Sequence, residues 1–127
     1  MSDKKNPQYG QFCWNELMTP DTKKAKEFYA SLFGWKTEDH KMPDHVYSMI
    51  KDNYGGMMQT PKGKEKEIPP HWMSYVNVQD VEASVKKAKS LGAEVKVPVS
   101  VAGEYGRFAV IKDPTGAVLG LWQSTKQ

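Results

Sequence analysis

At 127 residues, with 39% hydrophobic and 26% charged side chains, the chain is long enough for one domain with a real core. Eighteen Lys and Arg against fifteen Asp and Glu leave a net charge of only +3, too small to argue for nucleic acid. No apolar run approaches the ~20 residues that cross a bilayer, so no membrane partner is expected.

Taken in order, residues 1–7 read as a polar, flexible tail without the apolar segment of a signal peptide. Residues 8–18 read as a strand that becomes apolar through Phe12, Cys13, Trp14, Leu17 and Met18. Cys13 is the single cysteine, which excludes an internal disulfide or a thiolate zinc site and fits a reducing cytoplasm. A helix over about 20–33 follows, with Thr19 as cap, Pro20 in the first turn and Asp21 at the positive end of its dipole. Ala25, Phe28, Tyr29, Leu32 and Phe33 make its apolar stripe, and Gly34 ends it. Three strands are expected next, one from Trp35, one near 46–51 and one near 56–60, with Asp52-Asn53-Tyr54-Gly55 turning between the last two. Residues 61–70, bounded by prolines and rich in Lys and Glu, read as a solvated linker loop.

The second half opens on a strand from about residue 71, and Asp80 caps a helix over about 81–91. Val81, Val85, Ala88 and Leu91 form its stripe, and Gly92 closes it. A short strand at 93–97, a loop at 98–106 and a closing hairpin follow. In the hairpin, apolar runs 107–111 and 117–122 flank Asp113-Pro114-Thr115-Gly116, a turn composition. The halves match in spacing. Trp14 precedes Asp21 by seven residues and Trp72 precedes Asp80 by eight, while the helix-closing glycines follow by thirteen and twelve. The expected fold is therefore α+β, with two βαβββ repeats (modules 8–60 and 71–124). They form a curved, mostly antiparallel sheet around a trough, helices outside.

The stretches Trp14 to Asp21, Phe28-Tyr29 through Leu32-Phe33-Gly34-Trp35, Gly55 to Met58, His71-Trp72 with Tyr75, and Gly106-Arg107-Phe108 through Gly116-Ala117 together resemble the vicinal oxygen chelate superfamily. That superfamily includes glyoxalase I, bleomycin-resistance proteins and extradiol dioxygenases, and the likeness is greatest to its short glyoxalase-like bacterial proteins. The resemblance implies the paired βαβββ fold, a small organic ligand in the trough and a homodimer. It does not carry the metal site over. The expected ligand positions hold Trp14, Met73 (or Trp72), Gly120 and, near the matching first-half strand, Gly56 to Met58, none of them good donors for a divalent cation. His40, His45 and His71 read as surface or turn residues. No metal and no other cofactor is therefore expected.

Strand alternation from Trp14 brings Glu16 to the same side, and alternation from Met73 brings Tyr75. These two are the candidate catalytic residues, since a carboxylate in an apolar trough would have a raised pKa and could act as acid or base. A purely structural glutamate, bonded to Tyr75 or to a strand edge, is the alternative. Trp14, Met58, Met73, Tyr105 and Trp122 are the candidate ligand-binding residues, with Tyr105 as the tip of a flap over 102–106. Three functions stay open: metal-free binding or conversion of a small organic molecule in an aromatic trough, a metal-dependent lyase or dioxygenase with atypical ligands, and a dimeric binding or resistance module without catalysis.

Overall fold

The computed structural model describes residues 8–125, so the expected tail at 1–7 lies outside the described residues. Ten elements follow one another: β1 (Phe12–Thr19), α1 (Thr22–Phe33), β2 (Thr37–Lys41), β3 (Val46–Ile50), β4 (Gly55–Gln59), β5 (His71–Asn77), α2 (Val81–Ser90), β6 (Glu94–Ala102), β7 (Gly106–Lys112) and β8 (Val118–Ser124). This is βαβββ twice over, an α+β fold with mixed strand pairing. The chain divides into two compact units, residues 14–73 and residues 74–125 joined by 8–13.

In the unit of residues 14–73 the strand order is β2-β3-β4-β1. β1 runs parallel to β4, with Glu16 beside Gly56 and Met18 beside Met58, while β2–β3 and β3–β4 are antiparallel. One side of this sheet is covered by α1. Leu17, Ile50 and Met57 form its buried core, packed by Ala25 and Tyr29 of the helix and by Trp35 after it. Tyr29 stacks on Trp35 with centroids 5.2 Å apart and meets the edge of Trp72 at 5.6 Å, and the Trp72 indole N–H donates to the Tyr29 hydroxyl at 3.1 Å.

The helix begins later than the sequence suggests. Asp21, not Thr19, is the cap: its carboxylate accepts from the Lys24 amide at 3.0 Å, and Thr19 Oγ1 only accepts from the Asp21 amide at 3.2 Å. Gly34 ends it at φ +75°, where a side chain would be strained. The five-residue apolar stripe is wider than the sheet it covers. Ala25 and Tyr29 pack inward, whereas Phe28, Leu32 and Phe33 stay 57%, 58% and 58% exposed.

In the other unit the order is β5-β8-β7-β6, with β5 parallel to β8 and the remaining pairs antiparallel. α2 covers one side. Val81, Ala109, Ile111 and Leu121 are its buried core, with Val85 and Ala88 packed against them. Asp80 caps α2 by accepting from the Ala83 amide at 3.1 Å. The β7–β8 turn is held by Asp113, whose Oδ1 accepts from the Thr115 amide and hydroxyl and from the Ala117 amide at 2.7 to 3.0 Å. Those donors, the Thr115 hydroxyl first, hold the Asp113 carboxyl below the ordinary range. The expected loop at 98–106 is mostly strand. β6 continues to Ala102, and its register slips between Val95 and Val97 and again between Val97 and Ser100. Pro98 is accommodated in that second irregularity, where no ladder amide is required of it.

Candidate functional site

Because side chains alternate across a strand, the residues of β1 to β4 that do not face α1 form a second surface. In the unit of residues 14–73 it carries Trp14, Glu16, Tyr47, Met49, Gly56 and Met58, together with Glu38 and His40 of β2. The Trp14 indole N–H donates to the Tyr47 hydroxyl at 2.7 Å, and that hydroxyl donates to Glu16 Oε1 at 2.9 Å. All three side chains are half-buried. Trp14 and Glu16 are thus brought together as expected, through a residue that the sequence reading did not single out. Tyr47 pairs with Met58 across β3–β4 and lies over Gly56. A Cβ at position 56 would clash with the edge of the Tyr47 ring and with its hydroxyl. The signal was present in the chain, since a glycine within a strand marks the close approach of another group.

The unit of residues 74–125 repeats this arrangement with different chemistry. Tyr75 is 5% exposed and lies over Gly120, its register partner on β8, where again a Cβ would clash with the ring. Tyr75 meets Phe108 edge-on at 6.5 Å, and Phe108 pairs with Trp122 across β7–β8. Trp122 packs on Gly106, a third glycine, where a Cβ would clash with the Gln123 carbonyl oxygen and with the indole. Met73 lies two residues before Tyr75 on β5, on the same side of the strand. Register equates Met73 with Trp14, since Glu16 and Tyr75 each sit beside a strand glycine. Trp72 instead faces the aromatic cluster under α1. Tyr105 lies on the short turn between β6 and β7 and is 49% exposed, and its carbonyl accepts from the Thr125 amide at 3.1 Å. The segment expected as a flap, 102–106, comprises that turn and the strand ends on either side of it, while the rest of the expected loop at 98–106 belongs to β6.

Divalent-metal chemistry can be tested against these side chains. Two of the matching positions are glycines without donors, and the volume a longer side chain would need there is taken by Tyr47 and Tyr75. His40 is a strand residue rather than a turn residue, with Nε2 3.1 Å from Glu38 Oε1. His45 Nδ1 lies 2.6 Å from Asp44, and His71 Nδ1 lies 2.8 Å from the Pro69 carbonyl oxygen. Among the described residues, no three His, Cys, Asp or Glu side chains group closely enough to hold an ion. The donor set at these positions does not fit the metal. Cys13 is half-buried, and burial pushes its thiol up to about 11, the behaviour of a small hydrophobe rather than a nucleophile.

Comparison with known proteins bears on the same residues. The family model described as the Glyoxalase/Bleomycin resistance protein/Dioxygenase superfamily matches residues 11–121. A Mycobacterium bovis protein named as a candidate glyoxylase, CFP32, is 41% identical over 118 residues, covering 89% of this chain and 45% of its own length. The anthracycline biosynthesis protein DnrV of Streptomyces peucetius is 28% identical over 130 residues, covering 90% of this chain and 47% of its own. The chain therefore spans about half the length of the curated relatives it matches. Among solved structures, methylmalonyl-CoA epimerase from Mycobacterium tuberculosis superposes with a TM-score of 0.66 at 13% identity, over 98% of this chain and 94% of its own. At that identity the likeness is one of fold.

Proposed function

The chain belongs to the Glyoxalase/Bleomycin resistance protein/Dioxygenase superfamily, and from this we propose that it binds, and can transform, a small organic molecule on its helix-free sheet surface without the divalent metal of other members. The observation that carries this reading is the replacement of donor side chains by glycines under tyrosine rings, Gly56 under Tyr47 and Gly120 under Tyr75. An aromatic surface with few charged groups suits stacking and hydrogen bonding, which need no ion. Trp14, Tyr47 and Met58 supply apolar area on one unit, and Tyr75 and Trp122 on the other. Tyr105, on its exposed turn, is a further ligand-binding candidate of the second of these units. Glu16 is the group able to accept or return a proton, with the Tyr47 phenol already bonded to its carboxylate. Tyr75 is the second candidate for that chemistry.

The same proposal has the protein acting as a homodimer in the cytoplasm, where Cys13 stays reduced. Light scattering on the purified protein tests the first of these. The binding proposal is tested by mass spectrometry of small molecules released from the purified protein, followed by titration of the identified compound into wild type and Trp14→Ala. A folded Trp14→Ala protein that has lost the fluorescence response supports the reading. One that binds unchanged overturns it.

A further inference from the structure

Resting on the homodimer proposed above, we infer that the outer stripe of α1 is the seam between two copies of this chain. The two helices run antiparallel across a two-fold axis, and Phe28 of each copy seats in the other. Lys24, Glu27, Phe28, Ser31 and Leu32 recur at helical spacing and line a shallow depression on the part of α1 that Ala25 and Tyr29 do not turn to the sheet. Four of them, Lys24, Glu27, Phe28 and Ser31, stand at i, i+3, i+4 and i+7. That is the diamond which receives a knob when two helices interlock. Ser31 is its small corner and leaves the depression open. Phe28 and Leu32 are the apolar side chains of this face, 57% and 58% exposed. Phe33 is equally exposed but stands outside the row and packs on Trp35, with ring centroids 5.1 Å apart.

The occupant is a second copy because this face carries both halves of the joint. An interface across a two-fold axis must be complementary to itself. The stripe supplies the hole and, in Phe28, the knob. Its charges obey the same operator. Lys24 and Glu27 are both exposed, of opposite sign and nearly one turn apart, and among the described residues neither enters an ion pair. Lys26, by contrast, is held by Asp39 at 2.9 Å. With the helices antiparallel and Phe28 near the axis, Lys24 of each copy is directed toward Glu27 of the other. A strongly acidic or strongly basic partner would instead meet one like charge for every opposite one. Two apolar side chains per copy fall short of the ~800 Å² per partner of a standard interface, so the polar rim must complete the contact. The association therefore belongs to the weak, concentration-dependent class, with a dissociation constant on the order of 10 μM.

Sedimentation of the intact chain over about 1–200 μM is expected to show a monomer–dimer equilibrium. Phe28→Ser should weaken it about hundredfold. Lys24→Glu and Glu27→Lys each set like charges against one another across the axis, and each should weaken it about tenfold. The double change Lys24→Glu/Glu27→Lys restores opposite charges and is expected to recover dimerisation, as is an equimolar mixture of the two single variants. Circular dichroism confirms that every variant is folded. A dimer left intact by Phe28→Ser and by both single charge changes overturns the seam, while the proposed homodimer stands on another surface. Single changes that weaken the dimer without rescue by the double change or by the mixture overturn the antiparallel pairing. A chain that stays monomeric over the whole range overturns the seam and the homodimer together, and leaves ligand binding on the sheet to its own test.

Discussion

Gly56 and Tyr47 are the residue pair on which the candidate site turns. A methyl group added at Gly56 would clash with the Tyr47 ring, so Gly56→Ala must displace a side chain held by hydrogen bonds at both Trp14 and Glu16. Overpacking of this kind costs about 1–3 kcal/mol. Denaturant unfolding should show that loss, and the double variant Gly56→Ala/Tyr47→Ala should lose less than the sum of the two single changes, because the clash disappears with the ring. Additive losses would mean that the ring has somewhere else to go. Asp39 offers a different test. Its carboxylate accepts from Ser48 Oγ at 2.6 Å and from Lys26 Nζ at 2.9 Å, and the Ser48 hydroxyl followed by the Lys26 ammonium holds it below its ordinary range. A carboxyl with a lowered folded pKa stabilises the protein above its unfolded value of about 3.9 and loses that contribution as pH falls through the folded value. The melting temperature of wild type should therefore drop more steeply below about pH 4 than that of Asp39→Asn. Equal slopes would show that the ion pair contributes nothing to folding.

The helices show how far local signals carry. Asp21 and Asp80 both cap, and replacing either with Ala should cost about 1 kcal/mol by thermal or denaturant unfolding. The Asp80 cap and the helix-closing glycines were legible in the chain because they depend on the nearest few residues, whereas the cap of α1 falls on Asp21 and not on Thr19. Which side of α1 meets the sheet was not legible. Apolar spacing defines an arc, and only tertiary packing decides how much of that arc is covered, so Phe28 and Leu32 read as core and are exposed. Leu32→Ala should change stability by no more than about 0.5 kcal/mol. Leu17→Ala, in the buried core under the same helix, should cost about 2–5 kcal/mol. Strand β6 was misjudged for a related reason: Pro98 is a local stop signal, and the bulge that absorbs it exists only because β7 pairs on both sides of it. Tyr47 went unnoticed because β3 is short and its partners, Trp14 and Glu16, lie more than thirty residues away in sequence.

At the scale of the whole molecule, the repeat sets the two sheet surfaces and the side chains decide the chemistry of each. The spacing of Trp14, Asp21, Asp80 and the two helix-closing glycines carried the doubled βαβββ order into view, since each half repeats the same strand-cap-helix-glycine sequence. Register then places one glycine in each unit beside the candidate acid–base residue, Gly56 next to Glu16 and Gly120 next to Tyr75. Two rings fill the spaces where longer side chains would otherwise reach. Stability should accordingly be indifferent to metal. An ion held by the native state at one hundred times its dissociation constant would add about 2.7 kcal/mol, so stripping it with a chelator would lower the melting temperature measurably. Thermal unfolding of this chain should superpose with and without EDTA, and elemental analysis of the purified protein should find no stoichiometric Ni²⁺, Zn²⁺, Fe²⁺ or Mn²⁺. A midpoint that falls with chelation, together with one metal per chain that disappears on replacing His45 or His71, would move the site away from the tyrosine-covered glycines. Restoring a carboxylate through Gly120→Glu should not create a metal site either, because the Tyr75 ring already occupies that volume. Only the pair Gly120→Glu/Tyr75→Ala clears the space, and metal uptake by the single variant would show that the ring yields more easily than its 5% exposure implies.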